Sequence, residues 1–536
     1  MCPASARLSK CGTLRSMTID AAEPSLPLLI RGLMSRLQTR TGQAVQLIET
    51  HLSWVLLAGE DAYKLKKPLQ LPFADFRTLQ ARQHFCSEEC RVNQVLAGSL
   101  YLGVLAITGS AEAPELGGAG TPIEYAVHLR RFAPDALLSE RLQAGLLQPQ
   151  ELDALADRLG HFHQQARRAG AAEDWGRPEQ VLQAVREVLH TLASTLQAPQ
   201  ALASLQDLRD WLETQAQALA PVWARRLQQG WVREGHGDLH LNNVVLGPEG
   251  ITAFDAIEFD PALRWIDVMA DLAFLSMDLQ AHGRADLAAR VLDRYLQQTG
   301  DYEGLQVLRF YEVYRALIRA MVAGLGPKTS GRPDYLDCAL RLISRPASEV
   351  RLMITMGLSG SGKSSLAARL VEATGAVRLR SDVERKRLFG LQALQASKDL
   401  GLSLYTREVT RQTFDRLHAL AAVVLRAGWP VIVDAAFLRR GERDRFQALA
   451  RSLGLPFSVL HCHCSPELMR SRIEARQARG DDASEATPEV LQSQLMGPGG
   501  PEADELPWVL TVDTTEPLGA TDIAALARRW LDRGGR

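Results

Sequence analysis

The sequence predicts two successive domains: a mixed α+β domain, followed by an α/β domain with a parallel sheet. Three observations support this prediction. A chain of 536 residues exceeds a domain of roughly 150 residues several times over. Strand-like segments near the N-terminus precede a long region whose apolar residues recur every three or four positions, which indicates packed helices. After about residue 350, short apolar strands alternate with helices, as a parallel sheet requires.

The composition is that of a globular protein without a strong overall charge. Lys and Arg number 61 against 62 Asp and Glu, so the formal net charge is −1, and no overall field favours nucleic acid or an anionic membrane. Hydrophobic residues make up 46% of the chain, enough for several cores. The 7 cysteines are scattered, and no stretch approaches the roughly 20 apolar residues of a membrane span. We expect a cytoplasmic protein without membrane or nucleic-acid partners.

The sequence of the first half predicts a small sheet followed by helices. Residues 1–17 are expected to be a flexible leader, with Met17 as an alternative start. The elements expected next are a helix at 28–40, strands at 51–57 and 62–66, a helix at 76–100, strands at 101–107 and 124–132, packed helices over 139–223, a hairpin at 244–254 and helices at 267–325. The predicted domains are therefore 18–346 and 347–536.

The second half predicts a parallel sheet. Its expected strands lie at 350–356, 376–379, 430–433, 457–462 and 509–512, with helices between them. In such sheets, ligands bind beyond the carboxyl ends of the strands. Side chains that follow these strands are therefore candidates for a binding site.

A phosphate-binding loop follows the first of these strands. Residues 357–364 read Gly-Leu-Ser-Gly-Ser-Gly-Lys-Ser, which matches G-x-x-x-x-G-K-[ST] between a strand and a helix. Glycines let successive backbone N–H groups surround a phosphate, while Lys363 neutralises its charge and Ser364 can bind Mg²⁺. The predicted nucleotide-binding residues here are Gly357, Ser359, Gly360, Ser361, Gly362, Lys363, Ser364 and Ser365.

Charged residues elsewhere in this half are candidates for the same site as the phosphate-binding loop. Asp382 follows the second strand and Asp434 ends the third, while a predicted helix carries Arg472 and Arg476 before a polar loop at 480–486. With these residues, positions 350–536 resemble the small P-loop kinases, a group that includes gluconate kinase, polynucleotide kinase and zeta toxin. The resemblance implies that Asp382 holds and deprotonates the acceptor hydroxyl, that Asp434 acts at the metal or at the acceptor, and that lid arginines contact ATP. A solvent-exposed helix face is the alternative for the arginines.

A second motif lies in the first half. His236, Asp238 and Asn243 form H-x-D-x-x-x-x-N ahead of a hairpin that ends at Asp255. Phosphoryl transfer needs a carboxylate that orients the acceptor hydroxyl and oxygen ligands for Mg²⁺. These residues can converge at one site, and we expect Asp238 to act as the base for the acceptor and Asn243 with Asp255 to hold Mg²⁺.

Residues 18–345 resemble the aminoglycoside phosphotransferase and choline kinase branch of the protein-kinase-like fold. The resemblance implies a bilobal domain in which a strand lysine, Lys64 or alternatively Lys66, binds ATP. Its helix partner would be Glu89, with Glu88 as the alternative.

Two further acids follow the hairpin. By the same resemblance, Asp267 would brace the catalytic loop, and Asp271 opens the next helix. Helix capping is the alternative for both. A glycine-rich loop over the phosphates and an acidic antibiotic pocket are not identifiable, so the acceptor stays open.

Taken together, the motifs predict a tandem kinase that uses ATP and Mg²⁺ to phosphorylate hydroxyl groups of small molecules. One alternative is an N-terminal domain that binds ATP only and regulates a single active P-loop kinase. The other is a kinase of nucleic-acid 5′ ends or of nucleotide sugars. The oligomeric state is not predicted.

Overall fold

The structure is a computed structural model. It describes all residues except 1–14, 18–25, 72–73, 171–172, 326–331, 396, 398–403, 405, 481, 498–499 and 534–536. Two compact units are present: one contains the described residues up to Gly283 together with Val307–Ser344, and the other contains Arg284–Gln306 together with the described residues from Arg345 onward. The second unit thus includes a segment that the sequence analysis placed in the first domain. Most of the predicted leader lies outside the described residues, but Arg15–Met17 form a short strand.

The first unit contains thirteen strands among its described residues. In chain order, β1 to β13 are Arg15–Met17, Gln46–Glu49, Ser53–Ala58, Asp61–Lys66, Gln70–Leu71, Ala74–Asp75, Tyr101–Gly109, Pro114–Leu116, Glu124–Arg130, Val232–Glu234, Val244–Gly247, Gly250–Ala253 and Trp265–Asp267. Seven of them form an antiparallel sheet in the order β1-β2-β3-β4-β9-β7-β8. The others pair as β5-β6, β10-β13 and β11-β12. The predicted hairpins are observed as β3-β4 and β11-β12. The strands that were not predicted are β1, β2, β5, β6, β8, β10 and β13, each of two to four residues.

Helices cover both faces of this sheet. Ile30, Leu33 and Leu37 of the helix Leu28–Thr41 pack against one face, and the helix Leu79–Ala97 packs against the other. Thr78 caps the second helix by accepting a hydrogen bond from the N–H of Ala81 at 3.2 Å, which is why this helix begins later than predicted. The remaining α-helices of the unit are Leu138–Gln143, Pro149–Gln165, Pro178–Thr195, Pro199–Gln228, Pro261–Arg264, Val268–Ala281, Leu305–Leu325 (from Val307 onward) and Tyr335–Ile343.

The second unit is an α/β structure on a five-stranded parallel sheet. Its strands β14 to β18 are Leu352–Met356, Val377–Arg380, Val431–Asp434, Phe457–His463 and Val509–Asp513. They lie in the order β15-β16-β14-β17-β18, and every neighbouring pair is parallel. Each predicted strand is present to within two residues, and the predicted fold class is confirmed. The helices are Ala285–Thr299, Lys363–Thr374, Ser381–Arg387, Arg407–Arg426, Arg440–Ser452, Pro466–Arg479, Pro488–Leu495 and Ala520–Leu531.

Candidate active sites

Strand β4 presents two lysines to the helix Leu79–Ala97. Because side chains alternate along a strand, Lys64 and Lys66 share the face that this helix covers. Nζ of Lys64 donates a hydrogen bond to Oε1 of Glu89 at 2.7 Å, and Nζ of Lys66 donates to Oε2 of the same residue at 2.6 Å. Glu89 is fully buried. The structure therefore brings both candidate lysines to one carboxylate.

A second acid distinguishes the two lysines. Lys64 also lies 2.6 Å from Oδ1 of Asp255, and its side chain is 12% exposed. Lys66 lies 2.7 Å from Oε1 of Glu258, and its side chain is 2% exposed. Lys64 is thus the lysine that reaches the candidate metal ligand. Lys66 is enclosed between two carboxylates and holds Glu89 in place.

Both lysines remain charged in this network. Burial lowers the pKa of Lys64, but the negative charges of Asp255 and Glu89 outweigh it and raise the pKa well above its usual range. Burial acts in the same way on Lys66, and Glu258 with Glu89 again raises the pKa. Alternating charges offset part of the cost of placing ions in the interior.

Asp255 is held in a backbone conformation that few residues with a side chain adopt. Its φ is 61°, a left-handed conformation that costs about 1 kcal/mol or more. Its N–H donates to the hydroxyl of Tyr101 at 3.1 Å, and the N–H of Ala256 donates to Oδ1 of Asn93 at 2.8 Å. These bonds fix the turn that directs the carboxylate towards Lys64.

The predicted catalytic loop is ordered by its own side chains. Nδ2 of Asn243 donates to the backbone oxygen of Asp238 at 2.9 Å and to its Oδ2 at 3.1 Å. Nε2 of His240 lies 3.5 Å from the same Oδ2. Burial raises the pKa of Asp238, but His240 outweighs it and holds the pKa well below its usual range. The loop therefore presents an ionised carboxylate beside an amide.

Asp271 braces this loop. Its two carboxylate oxygens accept hydrogen bonds from the N–H groups of His236 and Gly237 at 2.6 and 2.7 Å. Asp267, which the resemblance pointed to, instead binds the guanidinium of Arg226 at 2.6 and 2.8 Å and caps the helix that follows it. The bracing role expected for Asp267 thus belongs to Asp271, one helical turn later.

His236 connects the predicted catalytic loop to the hairpin. Its Nδ1 accepts a hydrogen bond from the N–H of Asp238 at 3.3 Å, and its Nε2 lies 2.8 Å from the carbonyl oxygen of Phe254. Burial lowers the pKa of His236, so the neutral ring can accept at one nitrogen and donate at the other. Because Asp255 follows Phe254, the imidazole ties Asp238 and Asp255 to one site.

In the second unit, residues 357–362 form the loop between β14 and the helix Lys363–Thr374. Gly360 has a φ of 79°, and a Cβ there would collide with the carbonyl oxygen of Met469. A Cβ at Gly357 would lie 2.5 Å from the carbonyl oxygen of Cys462. Only glycine fits at these two positions. The loop therefore keeps its backbone close to both neighbouring segments.

Other residues of this loop differ in what they contact. The N–H of Ser359 donates to Oε1 of Gln494 at 2.8 Å, so this amide reaches a ligand only if Gln494 moves. Ser361 is fully buried, and within the described part of the chain its hydroxyl has no hydrogen-bond partner. Gly362 caps the helix with a φ of 80°, and Ser365 is exposed in the first turn.

The helix beginning at Lys363 brings two predicted groups to the edge of the sheet. Nζ of Lys363 donates to the carbonyl oxygen of Leu358 at 3.3 Å, and Oγ of Ser364 donates to Oδ1 of Asp434 at 3.0 Å. Asp434 is 3% exposed. None of the described residues donates a hydrogen bond to its Oδ2. Nη1 of Arg378 and Nε of Arg380 lie 3.9 and 3.8 Å from this Oδ2, within ion-pair distance. A buried carboxylate oxygen that accepts no hydrogen bond and lies beside a hydroxyl fits Mg²⁺, which prefers oxygen ligands.

Asp382 lies in the first turn of the helix Ser381–Arg387. Its Oδ1 accepts a hydrogen bond from Nη1 of Arg385 at 3.0 Å, and its side chain is 25% exposed. Nearby, Nη2 of Arg380 binds Oδ2 of Asp482 at 2.9 Å. The proposed acceptor-binding carboxylate thus carries a guanidinium partner of its own.

The two predicted arginines of the helix Pro466–Arg479 are half-buried. Nη2 of Arg472 donates to the carbonyl oxygen of Thr514 at 2.6 Å, and Nη2 of Arg476 donates to that of Ala486 at 3.1 Å. A Cβ on Gly362 would lie 3.5 Å from Nη1 of Arg472. Arg472 therefore lies beside the phosphate loop, whereas Arg476 holds the segment that follows the helix.

The residues that sequence reasoning did not identify at these sites include Glu258, Gln494 and Arg378, whose Nη1 donates to the carbonyl oxygen of Ser364 at 3.0 Å. Arg378 and Arg380 alternate with apolar residues along β15, and two charges on one face of an otherwise buried strand could have been a signal. Glu258 follows Asp255 by three positions, but nothing local shows which way it points. Gln494 comes from a distant helix and left no signal.

Known families match both halves of the chain. Residues 102–311 match the phosphotransferase enzyme family, and residues 352–498 match the AAA domain. The uncharacterized protein Rv2004c of Mycobacterium tuberculosis is 30% identical over 449 residues, which cover 82% of this chain and 88% of that protein.

Two solved structures are also similar to parts of the chain. A putative kinase from Chloroflexus aurantiacus is 26% identical, with a TM-score of 0.26, over 34% of this chain and 98% of its own. A choline/ethanolamine kinase family protein from Mesorhizobium loti is 13% identical, with a TM-score of 0.36, over 59% of this chain and 96% of its own. Across the described residues, no helix has the length and hydropathy to cross a bilayer.

Proposed function

Because the chain belongs to the family of the mycobacterial protein Rv2004c and joins a phosphotransferase domain to a P-loop kinase-like AAA domain, we propose that it is a tandem kinase. Each unit would transfer the γ-phosphoryl group of ATP to a hydroxyl group of a small-molecule acceptor. The domains proposed for these activities are 18–346 and 347–536. In the structure, the segment Arg284–Gln306 of the first range belongs to the second compact unit.

The observation that supports this proposal most strongly is convergence within each unit. In the first, Lys64 contacts both Glu89 and Asp255, although the three residues are distant in sequence. In the second, Ser364 contacts Asp434 at the end of another strand. Kinase chemistry depends mainly on positioning and charge stabilisation, and contacts of this kind support the proposal.

In the first unit, Lys64 would exchange Asp255 for a phosphate oxygen when nucleotide binds. Asp255 and Asn243 would then hold Mg²⁺. Asp238 would accept a hydrogen bond from the acceptor hydroxyl and orient it in line with the phosphorus. As an ionised carboxylate, it would then accept the hydroxyl proton as the base.

In the second unit, the backbone N–H groups of residues 357–364 and the helix N-terminus would bind the phosphates. Lys363 would leave the carbonyl of Leu358 for a phosphate oxygen, while Ser364 and Asp434 would hold Mg²⁺. Asp382 would orient the acceptor hydroxyl. In both units Mg²⁺ supplies charge neutralisation on the phosphates.

The test is a screen of a metabolite extract with ATP labelled in the γ position. Full-length wild type is compared with Lys64→Met, Lys363→Met and the double variant. Lys67→Met serves as a control, because Lys67 adjoins β4 but pairs with Glu49. We expect one labelled product to depend on Lys64 and another on Lys363, with both absent in the double variant.

Other results would contradict the tandem proposal. If no product depends on Lys64 while ATP still binds to the first unit, that unit is regulatory. If label passes only to polynucleotide 5′ ends, with a steep dependence on salt, the protein acts on nucleic acid. If Lys363→Met retains every product, the second unit is not a kinase.

A further inference from the structure

The helix Ala285–Thr299 belongs to the second unit, although its sequence lies far from the phosphate loop. Its Ala289 is part of the buried core that contains Leu366 and Leu370 of the helix following that loop. Its Arg290 forms an ion pair with Glu372 of the same helix at 2.6 Å. The region that matches the AAA domain does not include this segment.

Two side chains of this helix hold the arginines of β15. Nη2 of Arg378 donates to Oδ2 of Asp293 at 2.7 Å, and Nη1 of Arg380 donates to Oε1 of Gln297 at 3.4 Å. Gln297 in turn donates to Oδ2 of Asp293 at 2.6 Å. Asp293 and Gln297 are buried and lie one helical turn apart. They form a linked support for both guanidinium groups.

These arginines flank the candidate metal ligand without hydrogen-bonding to it. Nη1 of Arg378 lies 3.9 Å and Nε of Arg380 lies 3.8 Å from Oδ2 of Asp434. Arg378 also donates to the carbonyl oxygen of Ser364 at 3.0 Å. Both guanidinium groups therefore lie beyond hydrogen-bond distance of Asp434 but within ion-pair distance, and Arg378 also binds the carboxylate of Asp293.

On the basis of the nucleotide binding proposed for this unit, we propose that Asp293 is a positioning residue of the second nucleotide site. By holding Arg378, it keeps Oδ2 of Asp434 open to Mg²⁺, and Gln297 supports Arg380 in the same way. The second kinase domain is accordingly split in sequence, because a helix encoded within the first half completes it.

The experiment measures binding of a fluorescent ATP analogue to the full chain, in excess Mg²⁺ and in EDTA. Binding that Lys363→Met removes reports the second site. In Asp293→Asn, Arg378 loses its charged partner and is free to move onto Asp434. We expect the Mg²⁺-dependent affinity to fall about tenfold, as for groups that orient metal ligands, while binding in EDTA stays close to wild type.

Three variants separate positioning from general damage. Asp293→Glu keeps the charge and is expected to retain most of the Mg²⁺ effect. Asp293→Asn combined with Arg378→Gln removes the uncompensated charge and is expected to recover part of that effect. Glu372→Gln breaks the other ion pair of the same helix and is expected to leave the Mg²⁺ effect unchanged.

Each alternative outcome has a definite meaning. If Asp293→Asn binds with the wild-type Mg²⁺ effect, Asp293 does not position the site, and the proposed kinase function is unaffected. If binding falls equally in Mg²⁺ and EDTA, and the double variant recovers nothing, Asp293 is merely structural and the inference is wrong. If wild type shows no binding that Lys363→Met removes, the proposed function of this unit and the inference fail together.

Discussion

The amino group of Lys64 lies 2.6 Å from the carboxylate of Asp255. Lys64 is proposed to bind phosphate and Asp255 to bind Mg²⁺. When nucleotide binds, each of the two residues would therefore lose the other as its partner. Because Glu89 also binds Lys64, the lysine keeps one anionic partner during the exchange. The ion pair therefore keeps both groups charged and close to the positions that catalysis requires.

The two lysines of β4 are expected to differ when each is changed to methionine. Lys64→Met should lower turnover of the first unit about 10²-fold or more, because a charge aimed at the transferring group is lost. Lys66→Met should instead destabilise the unit by roughly 3 kcal/mol, because it breaks a buried charge network. Steady-state kinetics and urea unfolding measure the two effects. The opposite pattern would identify Lys66 as the nucleotide lysine.

Asp271 and Asp267 provide a second comparison. Asp271→Asn has a single acceptor oxygen for two backbone N–H groups, so one is left unsatisfied at a cost of about 1–3 kcal/mol. The catalytic loop should lose its position, and kcat of the first unit should fall more than ATP affinity. Asp267→Asn weakens the pair with Arg226 and should reduce stability more than kcat. Equal effects on kcat and stability in both variants would argue against a bracing role for Asp271.

Asp434 should determine how the second unit depends on Mg²⁺. Asp434→Asn is expected to raise the Mg²⁺ concentration for half-maximal nucleotide binding by at least about tenfold. Ser364→Ala should act in the same direction. Titration of Mg²⁺ against a fluorescent ATP analogue measures the change, with Glu372→Gln as the control. An unchanged midpoint in Asp434→Asn would assign Asp434 to the acceptor instead.

His236 should make the first unit sensitive to acid. Burial holds its pKa below the ordinary value of 6.5, although Asp271 and Asp238 oppose the shift. Between the lowered pKa and 6.5, the unfolded chain binds more protons than the folded one. The stability that depends on neutral His236 is therefore complete above 6.5, falls as the pH decreases through this window, and is lost below the lowered pKa.

The measurement is urea unfolding from about pH 7.5 to about pH 5, the range in which histidine titrates. Wild type should lose more stability over this range than His236→Gln, whose side chain does not titrate. Parallel pH profiles for the two proteins would show that His236 is not responsible.

Local sequence was sufficient for several elements and for the phosphate loop. The five parallel strands and the loop at 357–364 were predictable because their residues are consecutive, so chain geometry alone determines their spacing. Lys64 and Lys66 were predictable as a pair because strand alternation places them on one face. The different surroundings of the two lysines were not predictable, because Asp255 and Glu258 are distant from them in sequence.

What the amino-acid sequence determined by itself was the fold class, the order of the two kinase-like halves and most of the groups proposed to bind phosphate and metal. Tertiary structure decided which acid braces the catalytic loop and that Asp293 supports an arginine beside Asp434. The physical reason is separation along the chain. The residues of a motif are close in sequence, so their spacing is fixed by the chain itself, whereas a buried ion pair depends on where packing places two distant segments.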